Sequence, residues 1–342
     1  MSVFISGANG FIAQHIVGLL LEEDYKVIGS ARSQEKADGL MRSFGNNPNL
    51  SMEIVPDISK LDAFDHVFQK HGDNIRIVIH TASPFCLDIS DYERDLLIPA
   101  LNGVKGILNS IKKYAANTVE RVVLTSSFAA VFEIEKESDK SVTFNEESWN
   151  PATWENCQID AINAYCASKK FAEKAAWDFL KENRDSVKFQ LTAINPVYVF
   201  GPQMFEKGVK KHLNTSCEFV NNLMHLSPEV KIPEMFGGYI DVRDVAKAHL
   251  VAFQKNETIG QRLIISEARF TMQDILDILN EDFPVLKGKI PVGKPGTGAT
   301  HNALGATLDN TKSKKLLGFK FRNLKETIDD TASQILKFEG RS

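Results

Sequence analysis

The sequence predicts an α/β fold built on a doubly wound parallel sheet. Three observations carry that expectation. Short apolar runs alternate with stretches of helical periodicity through the first 130 residues. The runs are continuously apolar, as strands covered on both faces are, rather than alternating. A glycine-rich turn stands where the first run gives way to the first helix. Right-handed crossovers between such strands wind the sheet in both directions from its first strand.

The elements follow in order. Residues 3–6 read as a buried strand closed by Gly7, and residues 11–21 as a helix with a broad apolar face. Strands are predicted at 26–30, 51–55, 76–80 and 121–125, with helices over 34–44, 61–70 and 90–116 between them. Pro99 predicts a bend or break in the last of these helices. The polar stretch 133–160 reads as an insertion loop or flap. Helix returns over 163–183 and strand over 189–194. Residues 195–238 hold four prolines and read as irregular, apart from a helical piece near 214–226. A helix over 242–254, a strand over 262–266 and helices over 271–282 and 323–338 complete the chain, with loop over 291–305.

Composition narrows the function classes. The 342 residues carry 40 Lys+Arg against 44 Asp+Glu, a net charge of -4, so no electrostatic footprint for nucleic acid is expected. No apolar run approaches the ~18 residues that span a bilayer, and no basic residue precedes Lys26, so neither a membrane span nor a secretory signal is expected. Cys86, Cys157, Cys166 and Cys217 are scattered without a Cys-x-x-Cys pair, which fits reduced thiols in the cytoplasm. His66 and His71 read as surface residues of a polar helix, and no metal is expected. The 22 Phe against 6 Tyr and 3 Trp are mostly core, with some free to line an apolar pocket.

Gly7, Asn9, Gly10, Phe11, Ile12 and Ala13 form a Gly-x-x-Gly-x-x-Ala turn. Residues without bulk let the backbone approach a pyrophosphate, and the helix N-terminus supplies N–H donors. Where an NAD site usually has a carboxylate for the ribose 2′-hydroxyl, this chain has Arg32, with Lys36 one turn on. A guanidinium binds a 2′-phosphate that a carboxylate would repel, so NADPH/NADP+ is the expected cofactor. Asp57 and Ile58 follow the third strand, on the adenine side; Thr81, Ala82 and Ser83 follow the fourth, near the ribose and nicotinamide.

Tyr165 is the only one of six tyrosines with Lys four residues on, at Lys169. That spacing puts phenol and ammonium on one helix face. Ser127 stands just beyond the fifth strand, at the edge where catalysis belongs. Hydride reduction of a carbonyl needs a proton donor at the developing alkoxide. Tyr165 is expected to donate, Ser127 to orient the carbonyl oxygen, and Lys169 to lower the phenol toward neutrality and hold the ribose.

These residues resemble the extended short-chain dehydrogenase/reductase family, in its dihydroflavonol-reductase-like branch. The resemblance rests on the glycine turn, Ser127, the Tyr165/Lys169 pair, the 195–202 segment Asn-Pro-Val-Tyr-Val-Phe-Gly-Pro and the 239–246 segment Tyr-Ile-Asp-Val-Arg-Asp-Val-Ala. It implies an NADPH-dependent reductase of aldehydes and ketones, among them methylglyoxal, 3-methylbutanal, diketones and bulky ketones. It implies a Rossmann domain over 1–195 and 241–266, with a smaller interleaved substrate domain over 196–240 and 267–342. Pro196, Val199 and Ser216 would lie at the cofactor. Phe85, Phe128, Phe132, Ile162 and Tyr198 would wall the substrate site. Tyr near 128 and Val near 162 are expected in a close relative; Phe128 and Ile162 here bear on substrate range and stereochemical preference. A homodimer is a further expectation. The alternatives are a hydroxysteroid dehydrogenase, a nucleotide-sugar epimerase of the same fold, or a non-catalytic sensor of NADP redox state. Arg32 disfavours the epimerase; Ser127, Tyr165 and Lys169 together disfavour the sensor.

Overall fold

The computed structural model describes residues 1–83, 90–206, 209, 213–298, 300 and 305–341. Phe85 and Cys86 lie outside the described residues. The first half alternates as expected: β1 (Ser2–Ser6), α1 (Phe11–Glu22), β2 (Lys26–Ala31), α2 (Gln34–Ser43), β3 (Leu50–Ile54), α3 (Asp65–His71), β4 (Ile75–His80), α4 (Ile98–Tyr114) and β5 (Arg121–Thr125). After a short β6 (Thr143–Phe144) come α5 (Ala161–Glu182) and β7 (Gln190–Pro196). With β10 (Arg262–Ile265) these strands make a seven-stranded sheet in the order β10-β7-β5-β4-β1-β2-β3. Every pairing in it is parallel. The winding reverses between β1 and β4, which opens a crevice at their carboxyl ends.

Strand alternation divides the core between two faces. Val3 and Ile5 pack with Ile16, Val17 and Leu20 of α1 and with Val245 and Ala248 of α7 (Val242–Gln254). Phe4 points the other way, and the rings of Phe64 and Phe68 meet its edge at 6.0 and 5.5 Å. Fully burying side chains of this size contributes about 1.5–3 kcal/mol each, so both faces of this one strand are strongly specified.

The stretch 195–238, expected to be irregular, contains more structure than that. β8 (Tyr198–Phe200), β9 (Phe236–Asp241) and β11 (Ala268–Thr271) form a second, three-stranded sheet. α6 (Thr215–Leu223), α8 (Met272–Asp282) and the helix Leu324–Phe338 surround it with a separate apolar core. Glycines hid β9. A Cβ at Gly237 would sit 2.8 Å from the Tyr198 ring, and one at Gly238 2.9 Å from Val197, so close packing requires residues with no strand propensity there.

Other boundaries shift for local reasons. The third helix starts at Asp65 rather than 61. Pro99 falls in the first turn of α4, where its missing N–H costs nothing, and a π-turn over Glu93–Leu97 precedes it, so the helix is not broken at its middle. The helix Thr311–Leu317, too short for periodicity to reveal, ends at Gly318 with φ +72°. The 133–160 stretch is largely irregular, but β6 pairs with β12 (Thr307–Leu308) and ties it down. His71 is not a free surface residue: its Nε2 lies 2.7 Å from Glu53. Cys157, Cys166 and Cys217 are free and buried. Among the described residues, no helix is long and apolar enough to cross a membrane, and no His/Cys/Asp/Glu cluster fits a metal.

Candidate active site

The glycine turn joins β1 to α1. Gly7 has φ +65°, and a Cβ there would lie 3.2 Å from both Cα and Cβ of Ala82. Its N–H donates to Ser30 Oγ, and the Gly10 N–H closes the turn on the Gly7 carbonyl at 2.9 Å. Gly10 is the N-cap of α1 and places no side chain over the free N–H groups. Ser6 fastens the neighbouring strand end. Its hydroxyl accepts from the N–H groups of Thr81 and Ala82 and bonds His80 Nδ1 at 2.8 Å.

Arg32 follows β2 directly, and Lys36 lies in the first turn of α2. Both are exposed, and neither side chain has a hydrogen-bond or ion-pair partner among the described residues. Asp57 turns onto the Ser59 N–H and hydroxyl, which hold its carboxyl below the usual range; Ile58 beside it is half-buried.

Ser127 caps a short 3-10 turn, Phe128–Ala130, by accepting from the Ala129 N–H. It also hydrogen-bonds Tyr165, on the first half of α5. One turn on, Lys169 donates to Ser83 Oγ at 2.8 Å, with its Nζ 5.6 Å from the Tyr165 ring centroid. So Ser127, Tyr165, Lys169 and Ser83 converge where the sheet's switch point opens.

The electrostatics correct one expectation. Lys169 was expected to bring the phenol toward neutrality; instead burial dominates and pushes Tyr165 up to about 12, with the Ser127 hydrogen bond opposing it. The ammonium is aimed at Ser83, and burial pushes it down to about 8. At neutral pH the phenol therefore holds its proton, the form a proton donor needs.

The chain matches the NAD dependent epimerase/dehydratase family over residues 3–266. It belongs to that family. The NADPH-dependent methylglyoxal reductase GRE2 of Saccharomyces cerevisiae is 85% identical over 341 residues, with 100% of both chains covered. The crystal structure of yeast methylglyoxal/isovaleraldehyde reductase Gre2 complexed with NADPH superposes with a TM-score of 0.99, covering 100% of both chains at 85% identity. Gre2 of Candida albicans, in complex with NADPH, superposes at 0.96 with 47% identity and 99% of each chain covered.

Within this family's fold, the residues present fit a dinucleotide phosphate. The Gly7 cradle leaves no room for a side chain, α1 offers an N-terminus without a side-chain cap, and Arg32 and Lys36, just after β2, are exposed and without side-chain partners among the described residues. Pro196 ends β7, Val199 lies buried on β8, and Ser216 is half-buried in the first turn of α6.

The expected substrate wall is only partly assembled. Phe128 and Phe132 stack at 5.4 Å and both meet Phe144 edge-on, so each packs against an apolar core. Tyr198 is 39% exposed, with Phe219 and Phe270 against its ring, and its phenol lies within electrostatic reach of Tyr165. Ile162 is 60% exposed in the first turn of α5 and is not packed as a wall residue would be. A groove of about 760 Å³ at the opposite, amino end of the strands, lined by Lys26, His71, Arg76 and Glu120 among others, has no part in this site.

The sequence reading gave no role to four buried groups behind Ser127: Ser126, Glu173, Asn195 and Arg262. Local signals were present in Glu173, eight residues after Tyr165 on α5, and in Asn195 at the head of the 195–202 segment.

Proposed function

We propose that this chain is an NADPH-dependent carbonyl reductase in which Tyr165 protonates the substrate oxygen. Full-length identity of 85% to a reductase of that activity carries the reading, and the joint position of Ser127, Tyr165 and Lys169 supports it. Bound NADPH supplies the hydride. Arg32 and Lys36 bind its 2′-phosphate, and Gly7, Asn9, Gly10, Phe11 and Ile12 admit the pyrophosphate. Asp57 and Ile58 border the adenine, and Thr81, Ala82 and Ser83 the ribose side. Lys169 holds the ribose, while Pro196, Val199 and Ser216 bound the nicotinamide side.

At the reacting end Ser127 hydrogen-bonds the carbonyl oxygen next to the phenol. Tyr165 then passes its proton to the developing alkoxide. Phe128, Phe132 and Tyr198 exclude water around an apolar substrate, with Ile162 at the rim. The substrates are aldehydes and ketones, including methylglyoxal, 3-methylbutanal, diketones and bulkier ketones. We assign residues 1–195 and 241–266 to cofactor binding and 196–240 and 267–342 to the substrate side; the return of β10 to the main sheet after β8 and β9 supports that division. Three free buried thiols support a cytoplasmic location.

A steady-state screen of these carbonyls with NADPH and with NADH tests the reading. Turnover of the small aldehydes with a strong preference for NADPH is expected. No turnover of any carbonyl with either cofactor overturns it.

A further inference from the structure

Glu173 is fully buried on α5, and the reaction outlined above gives it no role. Its carboxylate collects five donors. Oε2 accepts from the Ser126 hydroxyl at 2.6 Å, from Asn195 Nδ2 at 2.7 Å and from Arg262 Nη2 at 3.4 Å. Oε1 accepts from Arg262 Nε at 2.6 Å and from Trp177 Nε1 at 3.2 Å. Asn195 Nδ2 also donates to the Ser127 carbonyl at 3.1 Å.

Both partners of the Asn195 amide nitrogen are pure acceptors, so the amide has one allowed orientation. That orientation leaves Asn195 Oδ1 buried without a hydrogen-bond partner among the described residues. Buried acceptors are rarely left so, and each exception calls for an explanation. Here the amide keeps a costly orientation in order to clamp Ser127.

We propose that Glu173 is a positioning residue for the reaction: through Ser126 and Asn195 it fixes the backbone that aims the Ser127 hydroxyl at Tyr165. The Ser126 side chain is held from one side of the peptide and the Ser127 carbonyl from the other. Successive side chains on an extended segment point to opposite sides, so anchoring Ser126 on Glu173 turns Ser127 into the cleft. Arg262 balances the buried charge. Its guanidinium stacks 3.7 Å from the Trp149 ring and donates to the carbonyls of Glu146 and Ser148, which joins the clamp to the 133–160 stretch.

The inference rests on the reductase reading of Ser127 and Tyr165, and its test separates the two. Glu173→Gln keeps the size of the side chain but turns one acceptor into a donor facing donors. Its kcat is expected to fall about 10- to 100-fold, with NADPH affinity, followed by cofactor fluorescence, unchanged within twofold. The deuterium isotope effect on kcat with labelled NADPH should rise, because misaligned chemistry becomes slower, whereas a loss of folded protein lowers rate and leaves the isotope effect alone. In a Ser127→Ala background the same change should cost less than twofold, since the group it positions is gone. Full additivity of the two losses overturns the proposal, as does wild-type kcat in folded Glu173→Gln. Should that variant fail to fold, Asn195→Ala breaks the bridge from Glu173 to the Ser127 carbonyl while Ser126 stays on the carboxylate, and must lower kcat with the same rise in isotope effect and the same non-additivity. A drop in turnover on Ser127→Ala in the otherwise wild-type chain upholds the reductase reading whatever Glu173 does.

Discussion

The Lys169 ammonium donates to the Ser83 hydroxyl at 2.8 Å and so joins α5 to the segment after β4. Burial holds this ammonium at about 8, below its ordinary 10.5. Charging Lys169 therefore opposes folding. The penalty is complete below pH 8, shrinks between 8 and 10.5, and vanishes above. Lys169→Met is expected to raise Tm by a few degrees near pH 7, with the gap closing as pH rises through that window. A lower Tm near neutrality, or a gap that ignores pH, contradicts this. The same ionisation should appear in activity as a decline of kcat/KM for NADPH as pH rises through about 8.

Tyr165→Phe removes the transferable proton and keeps the ring. A positioned general acid contributes about 10²–10⁴-fold, so kcat should fall by that range while NADPH still binds. Following NADPH absorbance with an aldehyde panel checks it, and near-wild-type turnover sinks the assignment.

Arg32 is exposed and makes no side-chain hydrogen bond or ion pair among the described residues, so Arg32→Ala should not disturb the fold. Charge-assisted hydrogen bonds are worth about 1.5–3 kcal/mol each, which predicts roughly 10- to 150-fold weaker NADPH binding with NADH little changed. Calorimetric titration of both cofactors decides it; equal losses would show that Arg32 does not read the 2′-phosphate.

Gly7→Ala meets two obstacles at once. A left-handed φ of +65° costs an L-residue roughly 1–2 kcal/mol, and the new Cβ would crowd Ala82 at 3.2 Å. Cofactor affinity should collapse and Tm fall by several degrees. Gly39→Ala, in open space on α2, is the control and should be neutral or stabilising.

Legibility in the sequence tracked how local each signal was. The helix at 242–254 and the strand at 121–125 were read to the residue, because the first carries an amphipathic period behind a capping Asp241 and the second holds an unbroken Val-Val-Leu apolar run between Arg121 and Thr125. β8, β9 and β11 were missed because they are short and, at Gly237 and Gly238, chosen for close approach instead of propensity. At the site, Tyr165 and Lys169 were visible through their spacing, whereas the rise of the Tyr165 phenol was not, since desolvation depends on what the rest of the chain piles around it.

By itself, the sequence determined the parallel sheet, the glycine turn and the pairing of phenol with ammonium, all of which are written in spacings of a few residues. Only the tertiary structure decided that Lys169 reaches Ser83, that Ile162 stays exposed, and that Glu173 gathers Ser126, Asn195 and Arg262. Glu173 and Arg262 stand 89 residues apart in the chain. A contact of that separation has no local period to announce it; it exists because burying one charge obliges the fold to bring the other.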